Sequence, residues 1–190
     1  GKLLKHLGIS NSLWRYDDHS EAADRARLIA RMHDGAVALV SDAGTPAVSD
    51  PGALCVQAVR DAGFAVVPIP GANAAVAALS AAGMGEGGFL FAGFLPAKSN
   101  GRKKILEDLA DLSQTLIFYE APHRIVEFTQ DCADVLGGER KITFARELTK
   151  LFEQIHSCNL ADAQAWLEAD MNHQRGEFVV LVQGASAQAD

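Results

Sequence analysis

The apolar run Val37-Ala38-Leu39-Val40 passes directly into a polar, glycine-bearing stretch, residues 41–52, and apolar residues at helical spacing resume beyond it. Strand, loop and helix in that order constrain the chain to an α/β architecture, in which ligands bind where strands end and loops begin. Asp42 can accept hydrogen bonds, Gly44 lets a backbone approach a ligand closely, and Pro46 stiffens the turn. Asp50 and Pro51 predict a helix start with a cap and a first-turn proline. Neither Gly-x-Gly-x-x-Gly nor a loop ending in Gly-Lys-Ser/Thr is present, and no lysine or arginine falls between Ser41 and Val59. Both facts argue against a dinucleotide or a phosphate as the occupant. A stiff strand-to-helix connection with no ligand is the competing reading.

The same alternation runs on along the chain. Ser20, as a cap, with Ala23, Ala26, Ile29 and Met32 predicts a helix stopped by Asp34-Gly35, followed by a strand over 36–40. A second helix from Pro51 turns Leu54, Cys55, Ala58, Val59 and Ala62 inward until Gly63, and 64–67 is the next strand. A second ligand-type turn, 68–73, enters an alanine-rich helix over 74–82 capped by Asn73, where small side chains suit close packing and a close ligand equally. Four glycines within 83–88 cannot hold regular structure cheaply. They set the expected organisation: an amino-terminal α/β domain over 1–84, a linker at 85–88 and a carboxy-terminal domain over 89–190. In the latter, strands at 89–94, 115–119, 141–145, 151–157 and 178–182 alternate with helices at 99–112, from Pro122 to Gly137-Gly138, and after Asn159. The pattern βαβαββαβ predicts a mixed sheet, against a mainly parallel one in the first domain.

Composition narrows the function. The 190 residues are 48% hydrophobic, enough for two small cores, and the formal charge of −7 is opposite to a generic nucleic-acid footprint. RNA contact would therefore need local clusters, and Lys98, Arg102, Lys103 and Lys104 form one, Arg140, Lys141, Arg146 and Lys150 a looser one; solvated helix or strand edges are the alternative. No apolar run reaches the roughly 18 residues of a membrane helix. The odd, scattered cysteines Cys55, Cys132 and Cys158 point to a reducing cytoplasm. The six histidines show no metal-ligand spacing, so no metal site is expected.

Three strings are more specific together than apart: Ser41-Asp42-Ala43-Gly44-Thr45-Pro46 with Ser49-Asp50-Pro51-Gly52, then Gly93-Phe94-Leu95-Pro96, then Phe118-Tyr119-Glu120-Ala121-Pro122-His123-Arg124. With Pro70-Gly71 and Arg146-Glu147-Leu148-Thr149-Lys150 they resemble the tetrapyrrole-methylase-fold methyltransferases over nearly the whole chain. Within that superfamily they are most similar to the branch that methylates a cytidine ribose 2′-hydroxyl of small-subunit ribosomal RNA. The resemblance implies a two-domain fold, S-adenosylmethionine held in the cleft between the domains, a homodimer, and small-subunit ribosomal RNA or the assembled small subunit as partner. Carried over position by position, it implies cofactor contacts from Asp42, Ala43, Gly44 and Thr45, from Pro70, Gly71, Asn73 and Ala74, and from Phe94, Leu95, Ala121 and Pro122. Asn73 stands where the family has serine. The family also has segments before the point matching Gly1 and beyond Asp190, so the chain reads as truncated at both ends.

Methyl transfer from a sulfonium needs an in-line nucleophile about 3 Å from the methyl carbon and removal of the hydroxyl proton. Glu120, His123 and Glu147 are the candidate bases or orienters. Arg124, Arg146 and Lys150 are available for phosphate or for stabilising an alkoxide. The local alternatives are an i,i+4 pair of Glu120 with Arg124 tying a helix start, and a pairing of Arg146 with Glu147. A tetrapyrrole methylase and a non-catalytic binding module stay open beside the RNA enzyme; the basic residues at 98–104 and His123-Arg124 favour RNA.

Overall fold

The computed structural model describes residues 1–17, 22–42 and 44–186. They form two compact units, Gly1–Ala72 and Asn73–Asp190. The division falls ahead of the alanine-rich helix, so the glycine run at 83–88 stands inside the second unit.

In the first unit α1 (Lys2–His6), α2 (Ala22–Met32) and α3 (Ala53–Asp61) form where the apolar spacing predicts the latter two. The Ser20 cap lies outside the described residues. Helix α3 starts two residues later than Pro51, from Gly52 at φ 135°. A Cβ on Gly52 would stand 2.9 Å from Leu39 Cδ2, so the loop returns onto the apolar run it leaves and only glycine fits the return. The expected strands 36–40 and 64–67 carry no ladder among the described residues, and the parallel sheet predicted for this half is not formed there. Val37, Leu39, Val40, Val66 and Val67 are all exposed. Apolar alternation determines which face a strand could bury, but a strand exists only where a neighbour supplies its hydrogen-bond partners.

The second unit carries α4 (Ala74–Ala82), β1 (Phe89–Phe94), α5 (Ser99–Leu109), β2 (Thr115–Glu120), a 3-10 turn Pro122–Arg124, α6 (Ile125–Leu136), β3 (Lys141–Arg146), β4 (Gln154–Asn159), α7 (Leu160–Ala169), a second 3-10 turn Met171–Gln174 and β5 (Phe178–Val182). From β1 onward this is the predicted βαβαββαβ, with β4 beginning three residues later than expected. The sheet order is β1-β2-β5-β3-β4; β1 and β2 are parallel and every other pair is antiparallel. The crossover α5 makes the parallel pair possible.

Alternation then decides the layers. Leu116, Phe118, Ile142, Phe144, Val180 and Val182 face one side and pack with Leu106, Phe128, Cys132, Leu160 and Leu167 of α5, α6 and α7. Ile117, Ala145, Val179 and Leu181 face the other and meet Ala75, Ala78 and Leu79 of α4. Strand β5 is apolar at every position because both its faces are covered. Asn73 caps α4 as predicted, its side chain accepting from Val76 N at 3.1 Å. Asn159 occupies the cap position of α7 without a side-chain bond. Trp166 secures α7 on the hairpin: its indole stacks on Phe144 and on the cross-strand neighbour His156, with centroids 5.3 and 4.1 Å away, and the His173 ring stacks 4.1 Å from it as well.

Beyond β5, Gly184 is buried, and any Cβ there would overlap the Ser113 carbonyl and crowd that of Gln114. Both neighbours are backbone and cannot swing aside. Gly184→Ala is therefore expected to cost about 1–3 kcal/mol, measured as a lowered urea midpoint; an unchanged midpoint would show that the chain end is not seated against 113–114.

Candidate functional site

In the first unit, the Thr45 hydroxyl donates to the Ala72 carbonyl at 3.4 Å and so joins the two loops that the sequence singled out. Gly44 has φ +69° with open space around its Cβ position. Ala47 and Ser49 also lie in the left-handed region, at φ 66° and 54°. Side chains seldom accept that conformation, so the loop holds a shape its residues would not choose. Asp42, Pro70 and Gly71 are exposed; Ala43 lies outside the described residues.

In the second unit, Asn73 spends its side-chain oxygen on the α4 cap, and Ala74 is exposed in the first turn of that helix. The other expected contacts gather where β1 and β2 end. Phe94 is 59% exposed and Leu95 is buried. Glu120, buried at the end of β2, accepts from Ala121 N at 2.7 Å and from both Nε and a terminal nitrogen of Arg124 at 2.9 Å. The same terminal nitrogen of Arg124 donates to the Leu95 carbonyl at 3.0 Å. The strings Gly93–Pro96 and Tyr119–Arg124 thus meet at one guanidinium. Glu120 accepts two bonds on Oε1 and one on Oε2, and in this geometry its carboxylate ties the start of the 3-10 turn to Arg124. His123 is exposed one residue away, the only one of the three candidate bases without a side-chain bond among the described residues.

The third candidate base, Glu147, is also committed. Its Oε1 accepts from Lys150 Nζ at 2.8 Å and Glu177 N at 2.9 Å, and its own N–H donates to the Glu177 carbonyl at 2.9 Å. Gly176 makes room, since a Cβ there would overlap the Glu147 side chain. The Lys150 ammonium, and then the Glu177 N–H, hold the Glu147 carboxyl below its ordinary value of 4.5. Glu147 and Thr149 take φ 52° and 64°, so this loop too is bent by its contacts.

Two arginines assigned to RNA are structural instead. Arg102 is fully buried: Nε and a terminal nitrogen each lie 2.6 Å from Asp131, Glu127 is at 3.2 Å, and another terminal nitrogen donates to the carbonyls of Ala97 at 3.2 Å and Pro96 at 3.5 Å. Burial alone would lower its pKa, but hydrogen bonds and charge from Asp131 and Glu127 reverse that and raise it. Arg146, 7% exposed, donates to the carbonyls of Phe152, Asn172 and Arg175 and to Gln154 Oε1, tying the 147–153 loop to the turn before β5. Charge clusters in sequence do not reveal which cation the fold will bury. Lys103 pairs with Asp134 at 2.6 Å, and Lys150 with Glu147 and Glu177. Lys98 and Lys104 are exposed and make no ion pair among the described residues.

Asp131 went unremarked in the sequence, although its spacing was informative. It follows Phe128 by three residues on the buried side of α6, and a carboxylate there needs a buried cation. No described group of His, Cys, Asp and Glu could hold a metal ion.

Residues 9–164 match the family model for tetrapyrrole (corrin/porphyrin) methylases, and the chain belongs to that family. It is 50% identical over 97% of its length to the ribosomal RNA small subunit methyltransferase I of Vibrio cholerae, and 49% identical over 98% to that of Pseudomonas aeruginosa. It spans 64% and 66% of those relatives' lengths. Among solved structures the methyltransferase CobJ superposes with a TM-score of 0.63 at 21% identity, covering 97% of this chain and 81% of the other. A uroporphyrin-III C-methyltransferase of Thermus thermophilus complexed with S-adenosyl homocysteine gives 0.57 at 17%, covering 93% and 80%. The last two establish the fold.

Two expectations follow. Arg102→Ala strands Asp131 and should cost about 3–5 kcal/mol in urea unfolding, whereas an exposed phosphate-binding arginine would cost under about 0.5 kcal/mol. For Glu147 the folded pKa is depressed, so its contribution is complete above the ordinary value of 4.5 and fades as pH falls below it. Glu147→Gln should be less stable than wild type at neutral pH and converge with it in acid; parallel curves at all pH values would mean that the ionised carboxylate contributes nothing.

Proposed function

We propose that the protein is an S-adenosylmethionine-dependent methyltransferase acting on a cytidine ribose 2′-hydroxyl of small-subunit ribosomal RNA. The observation that carries the reading is about 50% identity, along almost the whole chain, to enzymes named for methylating that RNA. The geometry supports it, because two of the strings that carry the resemblance converge on one guanidinium at the carboxyl ends of a parallel strand pair.

The residues present fit the cofactor. The left-handed, open Gly44 and the exposed Asp42, with Thr45, Pro70 and Gly71, would hold it from the first unit. In the second unit the family strings assign Ala74, the exposed ring of Phe94 and the backbone at Leu95, Ala121 and Pro122 to the cofactor, with Asn73 limited to its amide nitrogen. When bound, S-adenosylmethionine supplies a methyl group activated by a sulfonium. The protein's part is to align the ribose hydroxyl with it and take the proton. His123 is the residue placed to accept that proton, since its ring is exposed and makes no side-chain bond among the described residues. Lys98 and Lys104 meet backbone phosphates. On this reading the protein is a cytoplasmic homodimer, in keeping with its free cysteines; no described helix is long and apolar enough to cross a membrane.

The test is mass spectrometry of small subunits incubated with the full-length protein and S-adenosylmethionine. A ribose-methylated cytidine is expected, and His123→Ala should lower turnover at saturating substrate at least about tenfold with little change in cofactor affinity. Methylation of a uroporphyrin in place of RNA would shift the reading to tetrapyrroles. Methylation of neither would leave a binding module.

A further inference from the structure

β1 and β2 are the one parallel pair in the sheet, so their carboxyl ends open on the same side, where α/β sheets receive ligands. The end of β1 is reshaped there. Ala92 bulges out of register with β2, Gly93 takes φ 65°, and the chain turns so that exposed Phe94 sets its ring at 66° to Tyr119, with centroids 5.7 Å apart. Bulges of this kind re-aim side chains beside binding sites.

The three carbonyls that follow are all held by guanidiniums. Leu95 is held by Arg124, Pro96 and Ala97 by Arg102. The Arg124 side chain is only 16% exposed, and it spends Nε and one terminal nitrogen on the fork with Glu120 and the second proton of that nitrogen on Leu95. These contacts take three of its five N–H donors and fix its plane between the carboxylate and the carbonyl, so its hold on the turn is set before any substrate arrives. An ammonium could replace its charge but could not span carboxylate and carbonyl in one plane.

We propose that Arg124 is a positioning residue for the cofactor: oriented by Glu120, it acts through the Leu95 carbonyl to fix the 94–97 turn in the shape that receives S-adenosylmethionine, and it does not anchor RNA. The inference rests on the cofactor assignment above.

The experiment uses the full-length protein and calorimetric titration with S-adenosylmethionine, alongside binding of small ribosomal subunits over a range of salt. Arg124→Ala is expected to weaken cofactor binding at least about tenfold while leaving subunit affinity and its salt dependence as in wild type. Arg124→Lys should show a smaller loss of the same kind, and it carries the test if the alanine variant fails to fold. Trp166→Phe, which loosens α7 far from the turn, controls for stability and should keep cofactor affinity. Unchanged cofactor affinity in Arg124→Ala, with weaker and less salt-sensitive subunit binding, would overturn the proposal in favour of a phosphate anchor. An equal cofactor loss in Trp166→Phe at equal melting temperature would overturn it in favour of a purely structural role. Wild-type protein that binds no S-adenosylmethionine would instead overturn the assignment beneath it.

Discussion

Two guanidiniums, one buried and one half-buried, grip three successive backbone carbonyls, Leu95, Pro96 and Ala97, and much of the second unit is arranged to keep them there. Each arginine needs its own carboxylate because an unpaired charge at such depth is prohibitively unfavourable. Glu120 supplies one from the end of β2, and Asp131 supplies the other from α6. The loop after β1 is thereby fastened at once to its parallel neighbour and to the helix layer. Neither arginine can be exchanged for lysine without losing the planar reach that makes the double contact.

The same device recurs after β3. Arg146 collects carbonyls from Phe152, Asn172 and Arg175, while Glu147 locks onto Lys150 and the Glu177 backbone. In both places charged side chains serve the backbone and leave neighbouring residues to face outward: Phe94 and His123 around the first, Leu151 and Phe152 around the second. All four described non-glycine residues with positive φ lie in the loops 44–50 and 147–149, so backbone strain coincides with the family's signature strings. Strain of this kind persists only where surrounding contacts over-determine the conformation, and for the second loop those contacts are the ones just named.

Division of labour among the charged residues follows. Of six cations assigned to RNA, Arg102 and Arg146 are buried and Lys103 and Lys150 are paired, which leaves Lys98 and Lys104 facing solvent with no ion pair among the described residues.

The sequence alone determined the elements of the second half, because periodicity and punctuation by Gly, Pro and Asn are local: β1 through β5 and their helices lie within a few residues of where alternation placed them. It also determined the family, since strings such as Gly93–Pro96 and Tyr119–Arg124 are read without coordinates. What it could not decide is anything that depends on a partner distant in the chain. Whether 36–40 and 64–67 are strands depends on neighbours that supply a ladder, and β5 enters between β2 and β3 only because pairing is chosen in three dimensions. The ion pairs of Arg102 with Asp131 and of Glu147 with Lys150 were hidden for the same reason. Sequence shows that a charge is present, and only tertiary structure, by burying it beside an opposite charge 29 residues away, as with Arg102 and Asp131, decides what that charge is for.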